Sequence, residues 1–229
     1  MVVIYTCPIC GCEILEKEIK FIRKRTIWKC KGCQEIWENK EDLKKVESQT
    51  ISLMQNGTDA LILGKYQEAL VYVNRIIEID PEHADAWNLK GGVHKLLKED
   101  QKAMECYDKV LNINPKRGDT WSNKGGIFAG WGEHKKALEC YDKAIAIKSS
   151  EGRPDYVRWM IEYSKGKSYF KLKQFKEAIR CYDKALELNQ NEKDVWKAKG
   201  NALKELNREK EAEECFKKFK ELSERDVKL

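Results

Sequence analysis

A chain of 229 residues with 36% charged and 41% hydrophobic residues reads as a soluble, helix-rich protein of one elongated domain or two small ones. Its formal charge of +6 comes from ten bases against eight acids in residues 1–48 and 34 against 30 beyond, so nucleic-acid binding would have to rest on a local patch. No apolar run approaches the roughly 18 residues needed to cross a bilayer, and the apolar start Met1–Tyr5 is too short for an export signal. The expectation is a cytoplasmic protein with no membrane partner and nine reduced cysteines.

The first segment reads Cys7-Pro-Ile-Cys10, then 19 residues, then Cys30-Lys-Gly-Cys33. Two such pairs suit tetrahedral Zn²⁺, because each Cys-x-x-Cys is a tight turn whose two sulfurs converge at about 2.3 Å from the metal. Gly11 and Gly32 stand where those turns want positive φ. About 40 residues bury too little surface to fold alone, so one structural Zn²⁺ on Cys7, Cys10, Cys30 and Cys33 would supply the fold. Cys12 is left as a spare thiol, or replaces Cys10 in a C-x₄-C arrangement. A thioredoxin-like redox pair would need a βαβ pattern that neither pair has. The residues between the pairs are rich in β-formers and suit a hairpin. "CPICG", "CKGC" and the following Ile36-Trp37 resemble the zinc-ribbon family over residues 1–40, a family of diverse functions.

That hairpin carries Lys20, Arg23, Lys24, Arg25, Lys29 and Lys31 with no acid, interleaved with Phe21 and Trp28. Such a cluster could hold phosphates and stack a base, so RNA or DNA is the alternative partner. The bland reading is a basic strand pair that offsets thiolate charge. Residues 41–49 follow with helical spacing at Leu43 and Val46, continued at Ile51 and Met54, and predict a helical connector.

Beyond residue 49 the chain repeats. Gly57, Gly91, Gly125, Gly166 and Gly200 recur at spacings of 34, 34, 41 and 34, as do Ala69, Ala103, Ala137, Ala178 and Ala212. Trp87, Gly91, His94, Ala103, Tyr107 and Pro115 mark one unit; Trp121, Gly125, Phe128, Ala137 and Tyr141 mark the next. Trp196, Gly200, Leu203, Ala212 and Phe216 mark the last. This period and lettering resemble the tetratricopeptide repeat. The resemblance implies a mainly α protein, a right-handed α-solenoid of five helical hairpins over about 50–83, 84–117, 118–151, 159–192 and 193–226, preceded by the zinc-bound β-hairpin. One departure is lysine in place of leucine at Lys90, Lys124, Lys165 and Lys199.

Members of that family bind partner peptides or proteins in a concave groove lined by the first helix of each hairpin. By the resemblance, that groove falls here on Asn88, Lys95, Leu96, Ser122, Gly126, Tyr163, Lys167, Phe170, Lys197, Asn201 and Lys204, with Gly92 and Gly130 on the same face. Tyr163 and Phe170 beside lysines would suit an acidic peptide with an apolar anchor. The family's chaperone-tail clamp needs a repeat after Lys197 and Asn201, so that ligand is not expected.

The recurring Cys106, Cys140, Cys181 and Cys215 take one position of each second helix. Equivalent positions in stacked hairpins lie about 10 Å apart, beyond the roughly 7 Å Cα limit of a disulfide, so they read as small apolar fillers. Seven extra residues, around the stretch Ser149–Val157, make a longer loop or helix start. Phe219 and Leu222 are expected to be partly exposed, giving a route to self-association through the last repeat. The N-terminal segment could instead cap the repeats by covering Leu53, Leu61 and Ile62. Ser164–Ser168 lacks the first glycine of a phosphate loop, having Ile161 there, and His83, His94 and His134 sit in separate units. The expectation is a non-enzymatic adaptor or scaffold.

Overall fold

The computed structural model describes residues 5–6, 13–14, 20–22, 25–29, 36–37, 40–150 and 157–226, with side chains over 48–147 and 157–225. Cys7, Cys10, Cys12, Cys30 and Cys33, with Arg23, Lys24 and residues 151–156, lie outside the described residues.

Five short strands come first: β1 (Tyr5–Thr6), β2 (Glu13–Ile14), β3 (Lys20–Ile22), β4 (Arg25–Lys29) and β5 (Ile36–Trp37). β1 pairs antiparallel with β2, Thr6 opposite Glu13. β3, β4 and β5 form an antiparallel meander, with Ile22 opposite Arg25 and Lys29 opposite Ile36.

Ten helices follow among the described residues: α1 (Lys40–Ile62), α2 (Tyr66–Ile79), α3 (Ala84–Leu96), α4 (Asp100–Ile113), α5 (Gly118–Gly130), α6 (His134–Ser150), α7 (Arg158–Lys171), α8 (Phe175–Leu188), α9 (Lys193–Lys204) and α10 (Glu209–Asp226). The chain divides into two compact units, residues 1–115 with α1–α4 and residues 116–229 with α5–α10. Inside each unit consecutive helices pack in pairs, two hairpins in the first and three in the second.

Each hairpin turns on one left-handed residue at a common register: Gly64 (φ 72°), Lys98 (60°), Gly132 (78°), Lys173 (60°) and Asn207 (56°). Glycine and asparagine take that conformation readily. Pro81 and Pro115 follow the ends of α2 and α4 and cannot continue a helix. At the position of Pro81 and Pro115 the third hairpin carries Ser149, and α6 runs 17 residues against 14 for α4 and α8.

The two helices of a hairpin meet at glycine. A Cβ on Gly91, Gly125, Gly166 or Gly200 would stand 2.6, 2.7, 2.4 or 2.8 Å from the ring of Tyr107, Tyr141, Tyr182 or Phe216. Those distances lie inside van der Waals contact, so only glycine lets the ring lie flat on the opposing backbone. Around each ring gather the recurring alanines: Ala137 and Ala144 with Tyr141, Ala178 and Ala185 with Tyr182. Gly57 is looser, its nearest neighbours at 3.4 Å, because Val73 stands where the other units carry an aromatic ring.

Two polar ties hold hairpin to hairpin. Trp87 Nε1 donates to the Pro81 carbonyl at 2.8 Å, and Trp196 Nε1 to that of Gln190 at 2.9 Å, each closing the connection before its helix. Lys165 pairs with Asp142 of the preceding hairpin, and Lys199 with Asp183 at 2.6 Å. Cys106, Cys140, Cys181 and Cys215 are all buried thiols. Burial pushes Cys106 up to about 11 and, with the neighbouring Glu162 carboxylate, Cys181 up to about 12. All four fill space in the helix packing.

Ile62 is 77% exposed at the end of α1. Leu53 and Leu61 are half-buried, and Leu61 packs in the cluster of Ala60, Ala69 and Val93.

The glycine contacts separate two substitutions. Gly166→Ala forces its methyl into a buried tyrosine and should cost about 1–3 kcal/mol. Gly92→Ala has open space within 4 Å and should gain up to about 1 kcal/mol as helix propensity. Equal effects in chemical denaturation would sink this account of the hairpin core.

Asp80 supplies a pH test. It is buried, its Oδ1 accepts from the Glu82 amide at 3.0 Å, and burial raises its pKa from 3.8 to about 6. The native state therefore keeps a proton that the unfolded chain has released, and stability falls as pH rises from about 4 to about 6. Asn114 and Asn189 hold the same register, and Asn189 Oδ1 accepts from the Asn191 amide in the same way. Asp80→Asn should leave Tm unchanged near pH 4 and raise it near pH 7 by on the order of 1 kcal/mol, about 2–4 °C. A gap independent of pH would refute the assignment to this carboxyl.

Candidate partner-binding site

The first helices of the hairpins present the residues whose register places them on the inner face. In the first unit α1 and α3 enclose a groove of about 540 Å³ lined by Ile51, Met54, Thr58, His83, Asp85, Asn88 and Leu89 among others. Ile51 is 64% exposed, while Thr50 and Gly57 on the same helix are buried. Lys95 is half-buried on α3, and desolvation lowers its pKa against the opposing pull of Asp100. Leu96 stands 54% exposed at the end of the same helix. Gly92, between Asn88 and Leu96, leaves the α3 backbone open.

In the second unit Ser122 and Gly126 are half-buried on α5, and Gly130 is open. Tyr163 leans on Tyr182 at 6.0 Å and Phe170 meets Phe175 edge-on at 5.3 Å, so both rings serve the core as well as the surface. Lys167 is exposed and holds its ammonium 4.5 Å above the Tyr163 ring. Lys197 and Lys204 behave differently. Their ammonium groups stand 5.3 Å over Phe219 and 5.2 Å over Phe216, drawn toward α10. Asn201 is exposed between them. Of the residues expected to act together, the structure brings Tyr163 and Lys167 into contact and sends the α9 lysines elsewhere.

Sequence reasoning missed Ile51, Met54 and Thr58, because the first unit lacks the aromatic markers that fix the register. Counting back from Gly57 would have found them. It also missed Met160, 51% exposed in the first turn of α7, where the seven-residue insertion hides the start of the unit.

Among the described residues no group of three or more His, Cys, Asp or Glu side chains could hold a metal ion. His94 is buried and its Nδ1 lies 2.6 Å from Glu99 Oε2, a hydrogen-bonding contact across the α3–α4 turn that holds the Glu99 carboxyl below its ordinary range. Lys20, Arg25, Trp28 and Lys29 fall in β3 and β4, and their side chains lie outside the described ones, as do Arg23 and Lys24 altogether. No helix among the described residues is long and apolar enough to cross a membrane.

Comparison with known proteins agrees with this architecture. Residues 84–117, 118–151, 160–192 and 194–226 match the family pattern "Tetratricopeptide repeat", together more than half of the chain. A search of curated protein sequences gives no match. Among solved structures, MamA 41-end from Desulfovibrio magneticus RS-1 is 22% identical over 77% of this chain and 96% of that one, with a TM-score of 0.67. PilF of Pseudomonas aeruginosa is 22% identical over 77% and 78%, at 0.69. PilW, described as a type IV pilus biogenesis factor, is 20% identical over 76% and 78%, also at 0.69. At such identities the likeness concerns the fold. With the repeat pattern matched over most of its helical hairpins, this chain belongs to the tetratricopeptide-repeat family.

Proposed function

We propose that this protein is a non-enzymatic adaptor that binds a partner peptide or protein on the inner face of its helical hairpins. The observation that carries the reading is the groove between α1 and α3, where Ile51 and Met54 offer an apolar floor beside the Asn88 amide. Ile62 and Leu96 extend the apolar surface at the ends of those helices, and Met160 does so in the second unit. Exposed aliphatic groups of this kind gain about 1.5–3 kcal/mol each when a partner covers them. In the second unit Lys167, held over Tyr163, offers a separate cation for a carboxylate. The occupant that fits the groove of the first unit is a peptide with an aliphatic anchor.

Peptides selected from a displayed random library against the full-length protein test this. The expected binders carry an aliphatic anchor, and Ile51→Glu with Met54→Glu weakens them by at least about tenfold, or 1.4 kcal/mol. Val71→Ser, on an exposed apolar residue of α2, should leave affinity unchanged. Binders indifferent to Ile51→Glu with Met54→Glu would refute the groove as the site.

For the N-terminal segment we infer one structural Zn²⁺ on Cys7, Cys10, Cys30 and Cys33. What supports the reading is backbone pairing around each thiol pair. Thr6 faces Glu13 across residues 7–12, and Lys29 faces Ile36 across residues 30–35, so each Cys-x-x-Cys is spanned by an antiparallel strand pair. Thiolates in such turns are the ligands zinc prefers. Elemental analysis of the purified chain should find one zinc per chain, lost in Cys30→Ser with Cys33→Ser. Metal-free protein with all N-terminal thiols freely alkylated would end this reading.

A further inference from the structure

The start of α3 differs from the starts of α2, α4, α5, α7, α8 and α9, where no side chain closes the helix. Before α3 stands His83, whose Nδ1 accepts from the Ala86 amide at 3.1 Å, sharing that N–H with the His83 carbonyl, also at 3.1 Å. Histidine is not among the usual caps, which are Ser, Thr, Asp and Asn. The connection holding it is tied at three points. The His83 amide donates to the Asp80 carbonyl at 3.1 Å, the Glu82 amide donates to Asp80 Oδ1, and Trp87 Nε1 donates to the Pro81 carbonyl.

A ring nitrogen that accepts a hydrogen bond carries no proton, so the neutral His83 ring carries its proton on Nε2. His83 is half-buried and lines the groove between α1 and α3. The cap bond thus makes Nε2–H, a donor, the group that this ring offers to the groove. Two other polar side chains of the lining spend their donors within α1. Thr58 Oγ1 donates to the Met54 carbonyl, and Gln55 Nε2 to Asp59 Oδ1, both at 2.9 Å.

Charge decides which acceptor such a donor receives. Among the lining residues Asp85 is the one with a fixed charge, and no lysine or arginine joins it. Glu82, exposed on the connection before α3, adds a second negative charge nearby. A carboxylate entering here would meet repulsion from both and no cation to receive it. A peptide carbonyl accepts from Nε2–H without that cost.

Taking the α1–α3 groove as the binding site, we propose that His83 reads its ligand through Nε2–H. The ligand is a neutral or basic peptide segment that sets an uncharged carbonyl beside its aliphatic anchor, and acidic segments are rejected.

Two measurements on the full-length protein test this. In nitrogen-15 NMR of the free protein at pH 7.5, above the ordinary range of imidazole, His83 should show a protonated Nε2 and an accepting Nδ1. A proton on Nδ1 would overturn the proposal whatever binds in the groove. The second measurement takes a binder selected from the displayed library and resynthesises it, capped at both ends, with Lys, Gln or Glu on both sides of its aliphatic anchor. The Glu form should bind at least about fivefold more weakly than the other two, and Asp85→Asn should narrow that gap. His83→Ser keeps a capping oxygen but removes the ring, and should weaken the Gln form by about fivefold with helix content unchanged by circular dichroism. A binder that is lost with Ile51→Glu and Met54→Glu, yet prefers Glu or ignores His83→Ser, would overturn this proposal and leave the groove standing. A binder indifferent to Ile51→Glu with Met54→Glu would remove the groove and the proposal together.

Discussion

Everything in the repeat region depends on an absent methyl group. Where Gly91, Gly125, Gly166 and Gly200 face Tyr107, Tyr141, Tyr182 and Phe216, a Cβ would lie within 2.8 Å of a ring carbon. The ring therefore sits on bare backbone, where any larger side chain on the first helix would push the two helices apart. That contact fixes the rotation of each first helix about its axis. Once the glycine points at the ring, the residues on the opposite side have no neighbour within the hairpin and form the inner face. Gly92 shows the contrast, since one residue further along α3 a Cβ would meet nothing within 4 Å. Binding surface and core contact are consequences of one rotation.

The same rotation explains the recurring letters Cys-Tyr-Asp-Lys on the second helices. The tyrosine covers the glycine of its own hairpin. The cysteine beside it is buried even on α10, where no further hairpin of the described residues lies beyond it, so its packing is internal to the unit. The aspartate points to the next hairpin and meets the lysine that replaces the leucine otherwise found in such repeats. These pairs are half-buried on the lysine side and exposed on the aspartate side. Their direct contribution is therefore small, about 0–1 kcal/mol each. Their larger effect is on register, because a slip of one residue along the helix would put the lysine against the tyrosine's apolar surroundings.

The period, the glycine–aromatic pairs and the filler role of the cysteines were all legible in the sequence, because each depends only on spacing along one helix. The destination of long side chains was not. Lys197 and Lys204 have the inner-face register, yet their ammonium groups settle over Phe219 and Phe216 on α10. A lysine stem spans several ångströms, so the position of its Cα leaves the position of its charge open. Ile51 and Met54 were hidden for a different reason. Val73 replaces the ring that marks the other units, and without it the first repeat reads weakly even though α1 and α2 pack as a hairpin.

The fourth unit shows what happens when one tie is exchanged. Trp87 and Trp196 each clasp the connection before their helix through an indole N–H. At that position α7 carries Glu162, 2% exposed, whose Oε2 is buried with no hydrogen-bond partner among the described residues. A carboxylate cannot donate as indole does, so this clasp cannot form before α7. The nearby tryptophan, Trp159, instead packs against the core of the last two hairpins. The lost clasp coincides with the one place where the period lengthens from 34 to 41 residues and where Ser149, inside α6, takes the position of Pro81 and Pro115. A fixed connection requires a fixed length, and once the donor is gone the length is no longer constrained. The insertion and the buried glutamate are therefore best understood as one change, tolerated because Gly166 and Tyr182 still lock the hairpin that follows.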